Sequence, residues 1–218
     1  MAFRHILLAG GIALLLFSCS KDKSVEPDQD QPLKDSTFQP VAAGSTWHYQ
    51  DSLQGNFTLT STDQDTVVDG ISYHVFMSQQ DTSSTIIPTY FGKSGINYYG
   101  RGLISALQDI SLLYMKDTLV NSSWSQEISV DVPSYGNVSA TVQSELTAIN
   151  TTRTVNGKHY TNVSEVTFKI NIPVPVVGDI TYATGSWYAA RGVGLIALDI
   201  QNNNAMVGSL SLLDYTIK

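Results

Sequence analysis

A chain of 218 residues with 12 Lys and Arg against 19 Asp and Glu carries a formal charge of −7. That is the wrong sign for holding a phosphate backbone, which excludes nucleic acid as a partner. Hydrophobic residues at 42% and charged residues at 14% supply a sizeable core, and a single cysteine excludes an internal disulfide, so a domain of this size must rely on packing.

The chain opens on Arg4, an apolar run from Ile6 to Phe17 and the small residue Ser18, followed by Cys19. A membrane-spanning helix needs about 20 apolar residues. The run is shorter and contains Gly10-Gly11, so residues 1–18 read as a signal peptide. Leu16-Phe17-Ser18-Cys19 resembles a bacterial lipobox. The resemblance implies that the Cys19 thiol receives a diacylglycerol, that the signal is cut before it, and that the new amino terminus is acylated. The lipid bilayer is then a partner. Each buried acyl methylene contributes roughly 0.8 kcal/mol, so three chains make a permanent anchor.

Residues 19–37 form a lipidated tether in this reading. The stretch from Ser20 to Pro32 is too polar to offset its own ordering entropy, and Pro27 and Pro32 favour extended conformations. Ser20-Lys21-Asp22 resembles the signal that sends Bacteroidota lipoproteins to the outer membrane, on either its periplasmic leaflet or the cell surface. Loss of residues 1–18 removes one Arg, leaving 11 − 19 = −8 as the mature charge.

From Phe38 onward the chain is written in strand language, with Val, Ile, Thr and Tyr punctuated by turn residues. Asp69-Gly70 within Asp63 to Phe76, and Asn156-Gly157 within Arg153 to Lys169, are hairpin signals, because both turn positions need positive φ. Gly95, Gly178-Asp179, Gly192 and Asn202-Asn203-Asn204 mark further turns. Leu103-Ile104, Ala106-Leu107, Ile110 and Leu113-Tyr114 fit one helical face, which predicts a short helix or a loop near 103–110 and then a strand. The fold class is all-β.

Three segments recur in one order. Phe38 to Trp47 aligns without gaps on Met115 to Trp124, Val68-Asp69-Gly70-Ile71-Ser72-Tyr73 on Val155-Asn156-Gly157-Lys158-His159-Tyr160, and Tyr90 to Ile96 on Trp187 to Val193. Gly44 and Asn121 match in role, since both tolerate a left-handed backbone. The pattern predicts two similar β-meanders, residues 38–108 and 109–218, joined into one curved antiparallel sheet, half-barrel or sandwich that buries both apolar faces. Trp47 and Trp124 then occupy equivalent structural positions.

Gly44-Ser45-Thr46-Trp47-His48-Tyr49, Thr66-Val67-Val68-Asp69-Gly70, Trp187 to Ile196 and the ending Leu212-Leu213-Asp214-Tyr215-Thr216-Ile217 together resemble a broad set of uncharacterised Bacteroidota lipoproteins. Some of these resemble the half-open barrels of periplasmic lipoprotein carriers and related lipid-binding lipoproteins. The resemblance implies fold and location rather than activity.

Chemistry-bearing motifs are sparse. His48, His74 and His159 lie in strand-like segments without zinc spacing, and neither a nucleophile elbow nor a phosphate loop occurs. Asp63, Asp65 and Asp69 lack the oxygen pattern and terminal Glu of a calcium loop. No metal or cofactor is expected. Asp35-Ser36, Asp51-Ser52, Asp65-Thr66 and Asp117-Thr118 resemble Bacteroidota O-glycosylation acceptors, at Ser36, Ser52, Thr66 and Thr118.

The leading expectation is a non-enzymatic, outer-membrane-anchored binding or structural module. Tyr98, Tyr99, Trp187 and Tyr188 read first as cross-strand packing pairs and are also its first candidates for carbohydrate or protein contact. The alternatives are a carrier or sensor holding a lipid in a concave sheet, and a small hydrolase with convergent carboxylates.

Overall fold

The computed structural model describes residues 37–102, 110–132, 136–174, 178–202 and 205–218. Leu33–Lys218 form one compact unit, and its core is drawn from within that span. The strands are β1 (Thr46–Asp51), β2 (Gly55–Val68), β3 (Ile71–Gln80), β4 (Ile86–Ser94), β5 (Asn97–Arg101), β6 (Leu112–Lys116), β7 (Ser123–Val132), β8 (Gly136–Val155), β9 (Lys158–Val174), β10 (Gly178–Ala190), β11 (Gly194–Asn202) and β12 (Ala205–Thr216). Among the described residues there is no helix. The helix expected near 103–110 lies, except for Ile110, outside them, and the strand expected after it is β6.

All 12 strands join one antiparallel sheet in the order β6-β5-β4-β3-β2-β1-β12-β11-β10-β9-β8-β7. The chain therefore starts mid-sheet, steps outward to β6, crosses to the far edge at β7 and steps back until β12 pairs with β1. In strand order β6 sits with the first half, so the halves are β1 to β6 and β7 to β12.

The sheet curls until its two edges face each other, giving a nearly closed barrel. Side chains span the remaining seam: the Trp124 indole donates to the Leu113 carbonyl at 3.1 Å, and Gln126 of β7 bonds the backbone beside β6 at two points. An edge covered this way no longer offers a free ladder to another chain.

The hairpin turns follow from local chemistry. Asp69 and Gly70 have φ of 52° and 78°, and Asn156 and Gly157 have 49° and 78°, the double left-handed pair that a two-residue turn requires. The halves also share an entry device. Gly44 N–H donates to Ser61 and Ser61 N–H to Ser45, while Asn121 N–H donates to Leu146 and Leu146 N–H to Ser122. Gly44 and Asn121 both have positive φ, at 79° and 67°.

Alternation along each strand turns one side chain in two inward, and the interior is filled mostly by aromatics. Trp47, Phe76, Phe91, Tyr114, Trp187 and Phe168 form a continuous chain of ring contacts, with successive centroids 5.6, 5.0, 6.3, 5.9 and 5.6 Å apart. Each such pair adds about 0.5–1.5 kcal/mol beyond area burial. A Cβ on Gly185 would fall 2.4 Å from the Phe168 ring, so only glycine lets that ring lie across β10.

The β8–β9 hairpin is long and bent. Register shifts between Leu146 and Arg153, with left-handed Asn150 and Asn162, break its ladder. Its tip is pinned to β12 by Asn156, which donates to Ser211 Oγ and the Leu212 carbonyl at 3.1 and 3.0 Å. Arg153 adds an ion pair to Asp199 at 3.1 Å and lies 3.3 Å over the Tyr188 ring.

Candidate functional site

Aromatic filling stops short of one barrel end. There, between the inner faces of β1 to β4 and the Leu195 and Leu210 side of the interior, is a cavity of about 310 Å³. Its floor is deeply buried: Tyr49, Leu59, Phe91, Leu195 and Leu210 are all under 7% exposed. Its rim is polar, with Ser78, Gln80 and Thr85, Thr89 lies buried deeper, and Asp51 contributes the one carboxylate among the described lining residues.

The local sequence explains each part. On β1 the inward phase runs Trp47, Tyr49, Asp51, so the strand passes from apolar to charged as it nears the end. Asp51 Oδ1 accepts from Leu53 N–H at 2.7 Å and Gln54 N–H at 3.1 Å, so the carboxylate also builds the β1–β2 turn. Tyr49 donates its hydroxyl to the Leu195 carbonyl at 2.7 Å, and burial pushes its pKa far up, so it stays a neutral donor.

Protein interiors hold few voids larger than a water molecule. At about 24 cal/mol per Å³, a dry space of about 310 Å³ would cost about 7 kcal/mol, comparable to the whole stability of a domain. The cavity is therefore a place for water or a ligand, and its size is at the lower bound of small-molecule sites.

A second concavity, an open groove of about 750 Å³, runs over the outer face of β7 to β11. It is polar, with Gln143, Glu145, Lys169, Ser186 and Gln201 among its walls. Tyr188 stands at one side, where its hydroxyl donates to Glu165 Oε1 at 3.0 Å.

No protein-family model matches the chain, and no curated protein matches it. Solved structures do. A candidate lipoprotein from Parabacteroides distasonis ATCC 8503 aligns at 11% identity with a TM-score of 0.55, over 85% of this chain and 100% of that one. The two share a fold. A candidate exported protein with a YmcC-like fold from Bacteroides fragilis NCTC 9343 aligns at 10% identity with a TM-score of 0.49, over 83% of this chain and 99% of that one.

Of the four aromatics expected to meet a ligand, two are in the core. Tyr98 is 1% exposed and Trp187 is 3% exposed, so both pack among the core side chains. Tyr99 and Tyr188 are half-buried, on strands β5 and β10 respectively, and are not brought together. Ser52 is exposed, and Thr66 and Thr118 are half-buried, while Cys19 and Ser36 lie outside the described residues.

The structure also assembles a group that no local motif announces. His74 Nε2 is 3.0 Å from Ser61 Oγ and its Nδ1 is 2.7 Å from Asp65 Oδ1, the connectivity of a Ser-His-Asp triad. Its proton polarity is reversed. Ser61 donates to the Val41 carbonyl at 2.8 Å, and Nε2 also faces the Thr62 carbonyl at 2.9 Å, so the ring is the donor there. Ser61 is 2% exposed, and the group staples the β2 bulge between Ser61 and Asp65.

His48 bridges two carboxylates, Asp81 at 3.0 Å and Asp214 at 3.4 Å. Burial alone would lower its pKa, but bonding and attraction from Asp81 and Asp214 outweigh that and raise it. Among the described residues no group of three or more His, Cys, Asp or Glu converges as a metal site.

Proposed function

We infer that this chain is an exported lipoprotein, anchored through Cys19 at the outer membrane, that acts as a non-enzymatic binding module with its ligand in the barrel-end cavity. The observation that carries the binding reading is the buried apolar floor of that cavity beneath a polar rim, in a barrel otherwise packed with side chains. The lipobox-like Leu16-Phe17-Ser18-Cys19 supports export and anchoring, as does a fold shared with a candidate lipoprotein. The matching turns and entry bonds of the two halves support their origin as a degenerate tandem repeat. Glycosylation at Thr66 or Thr118 would fall at positions that do not line the cavity, whereas Ser52 lies in the turn between Asp51 and Gln54 at its mouth.

Titration of a detergent-free envelope extract into isotope-labelled Leu33–Lys218 tests the binding reading. Amide shift changes confined to the inner residues of β1 to β4 are the expected result. Changes confined to the outer groove would move the site there and overturn it. For anchoring, Cys19→Ala is expected to leave the signal uncut and the protein free of acyl label, and normal processing of that variant would contradict it.

A carrier of long acyl chains is the second reading. It fits the apolar floor, but Phe76, Tyr98, Tyr114 and Trp187 occupy the interior that a long chain would need.

A further inference from the structure

We propose that the barrel-end cavity takes a small, uncharged amphiphile, with its apolar part on the buried floor and its polar head among the rim hydroxyls and amides. This rests on the reading of the cavity as the binding site and names the chemistry of what it binds.

The charge pattern selects the head. Among the described residues no Lys, Arg or His lines the cavity, so an anionic head would meet no cation from them and would approach Asp51. Asp51 already accepts from two backbone N–H groups, which makes it a poor sole partner for a cationic head. Ser78, Gln80 and Thr85 offer neutral donors and acceptors, the complement of hydroxyl or amide groups.

Polarity along the depth selects the rest of the molecule. A free sugar presents hydroxyls on every side, and burying them against Leu59, Phe91 and Leu210 would leave them unpaired. An apolar tail gains from the same contact. The mouth favours such a tail too, because Ile87, which lines it from β4, is a large apolar side chain left 48% exposed. Size sets the limit. About 310 Å³ is at the lower bound of small-molecule sites, so the cavity encloses one short chain or ring and not a two-chain lipid.

Three probes with shared parts test this by calorimetry on Leu33–Lys218: octyl glucoside below its micelle concentration, octanoate at pH 8, and glucose. Two variants block the site. Ser78→Phe fills the cavity from β3, and Thr85→Trp, at an exposed position, closes the mouth with little risk to folding. The expected result is saturable one-to-one binding of octyl glucoside, weakened tenfold or more in both variants at unchanged melting temperature. Octanoate should bind at least tenfold more weakly and glucose not measurably. Octanoate binding as tightly, with the variants still blocking, would overturn the neutral-head claim and leave the cavity as a binding site. Glucose binding as tightly as octyl glucoside would overturn the amphiphile. Absence of binding by all three probes would overturn the ligand class, and binding indifferent to both variants would remove the cavity reading as well.

Discussion

Gln126 closes the barrel against Leu113. Its side-chain oxygen accepts the Leu113 N–H at 2.9 Å while its amide nitrogen donates to the Ser111 carbonyl at 2.6 Å, so one side chain imitates a neighbouring strand. Gln126→Leu leaves both backbone groups without these partners, and an unmet buried polar group costs about 1–3 kcal/mol. The expected result is a lower melting temperature with selective loss of hydrogen-exchange protection at Leu113. Uniform loss across the sheet would mean that the seam is not a local closure.

Two buried tyrosines should respond in opposite ways. Tyr49 donates to the Leu195 carbonyl, whereas the Tyr114 hydroxyl is buried without a hydrogen-bond partner among the described residues. Tyr49→Phe is expected to cost about 1 kcal/mol, and Tyr114→Phe to be neutral or stabilising. Urea midpoints of the two variants, at unchanged m-value, check the contrast.

Stability should carry a pH signature from His48. Its folded pKa is raised above the usual 6.5, so its contribution is fully present below about 6.5 and is lost as pH rises through the folded value. The pair is partly exposed, so the effect should stay below about 1 kcal/mol. The melting-temperature gap between wild type and His48→Gln is expected to shrink from pH 5.5 to 8.5. A gap that widens would reverse the assignment.

The β8–β9 tip offers a test that separates turn from bond. Asn156→Ala loses two side-chain hydrogen bonds and strains a φ of 49°, for about 2–3 kcal/mol in all. Asn156→Gly keeps the turn and loses only the bonds, for about 1 kcal/mol. Equal losses would show that backbone strain contributes nothing there.

Features set by neighbouring residues were legible in the sequence, and features set by strand order were not. Asp69-Gly70 and Asn156-Gly157 announce their turns because their φ angles are a local demand. The seam was hidden, since Gln126 and Leu113 meet only after ten other strands have curled the sheet. The same holds for the cavity, to which Leu195 and Leu210 contribute from the opposite half of the chain. Tyr98-Tyr99 and Trp187-Tyr188 were ambiguous because two adjacent aromatics do not reveal which one points inward; neighbouring strands decide that through register. His74 met Asp65 and Ser61 only because a bulge sets four residue steps of β2, Ser61 to Asp65, against two of β3, Phe76 to His74.

The most direct test of the account is mass spectrometry of a solvent extract from Leu33–Lys218 exported from its native host and purified without detergent, beside the Thr85→Trp variant. The account predicts a small neutral amphiphile near one-to-one with wild type and depleted in the variant. An extract free of small molecules, or identical extracts from both proteins, would contradict it.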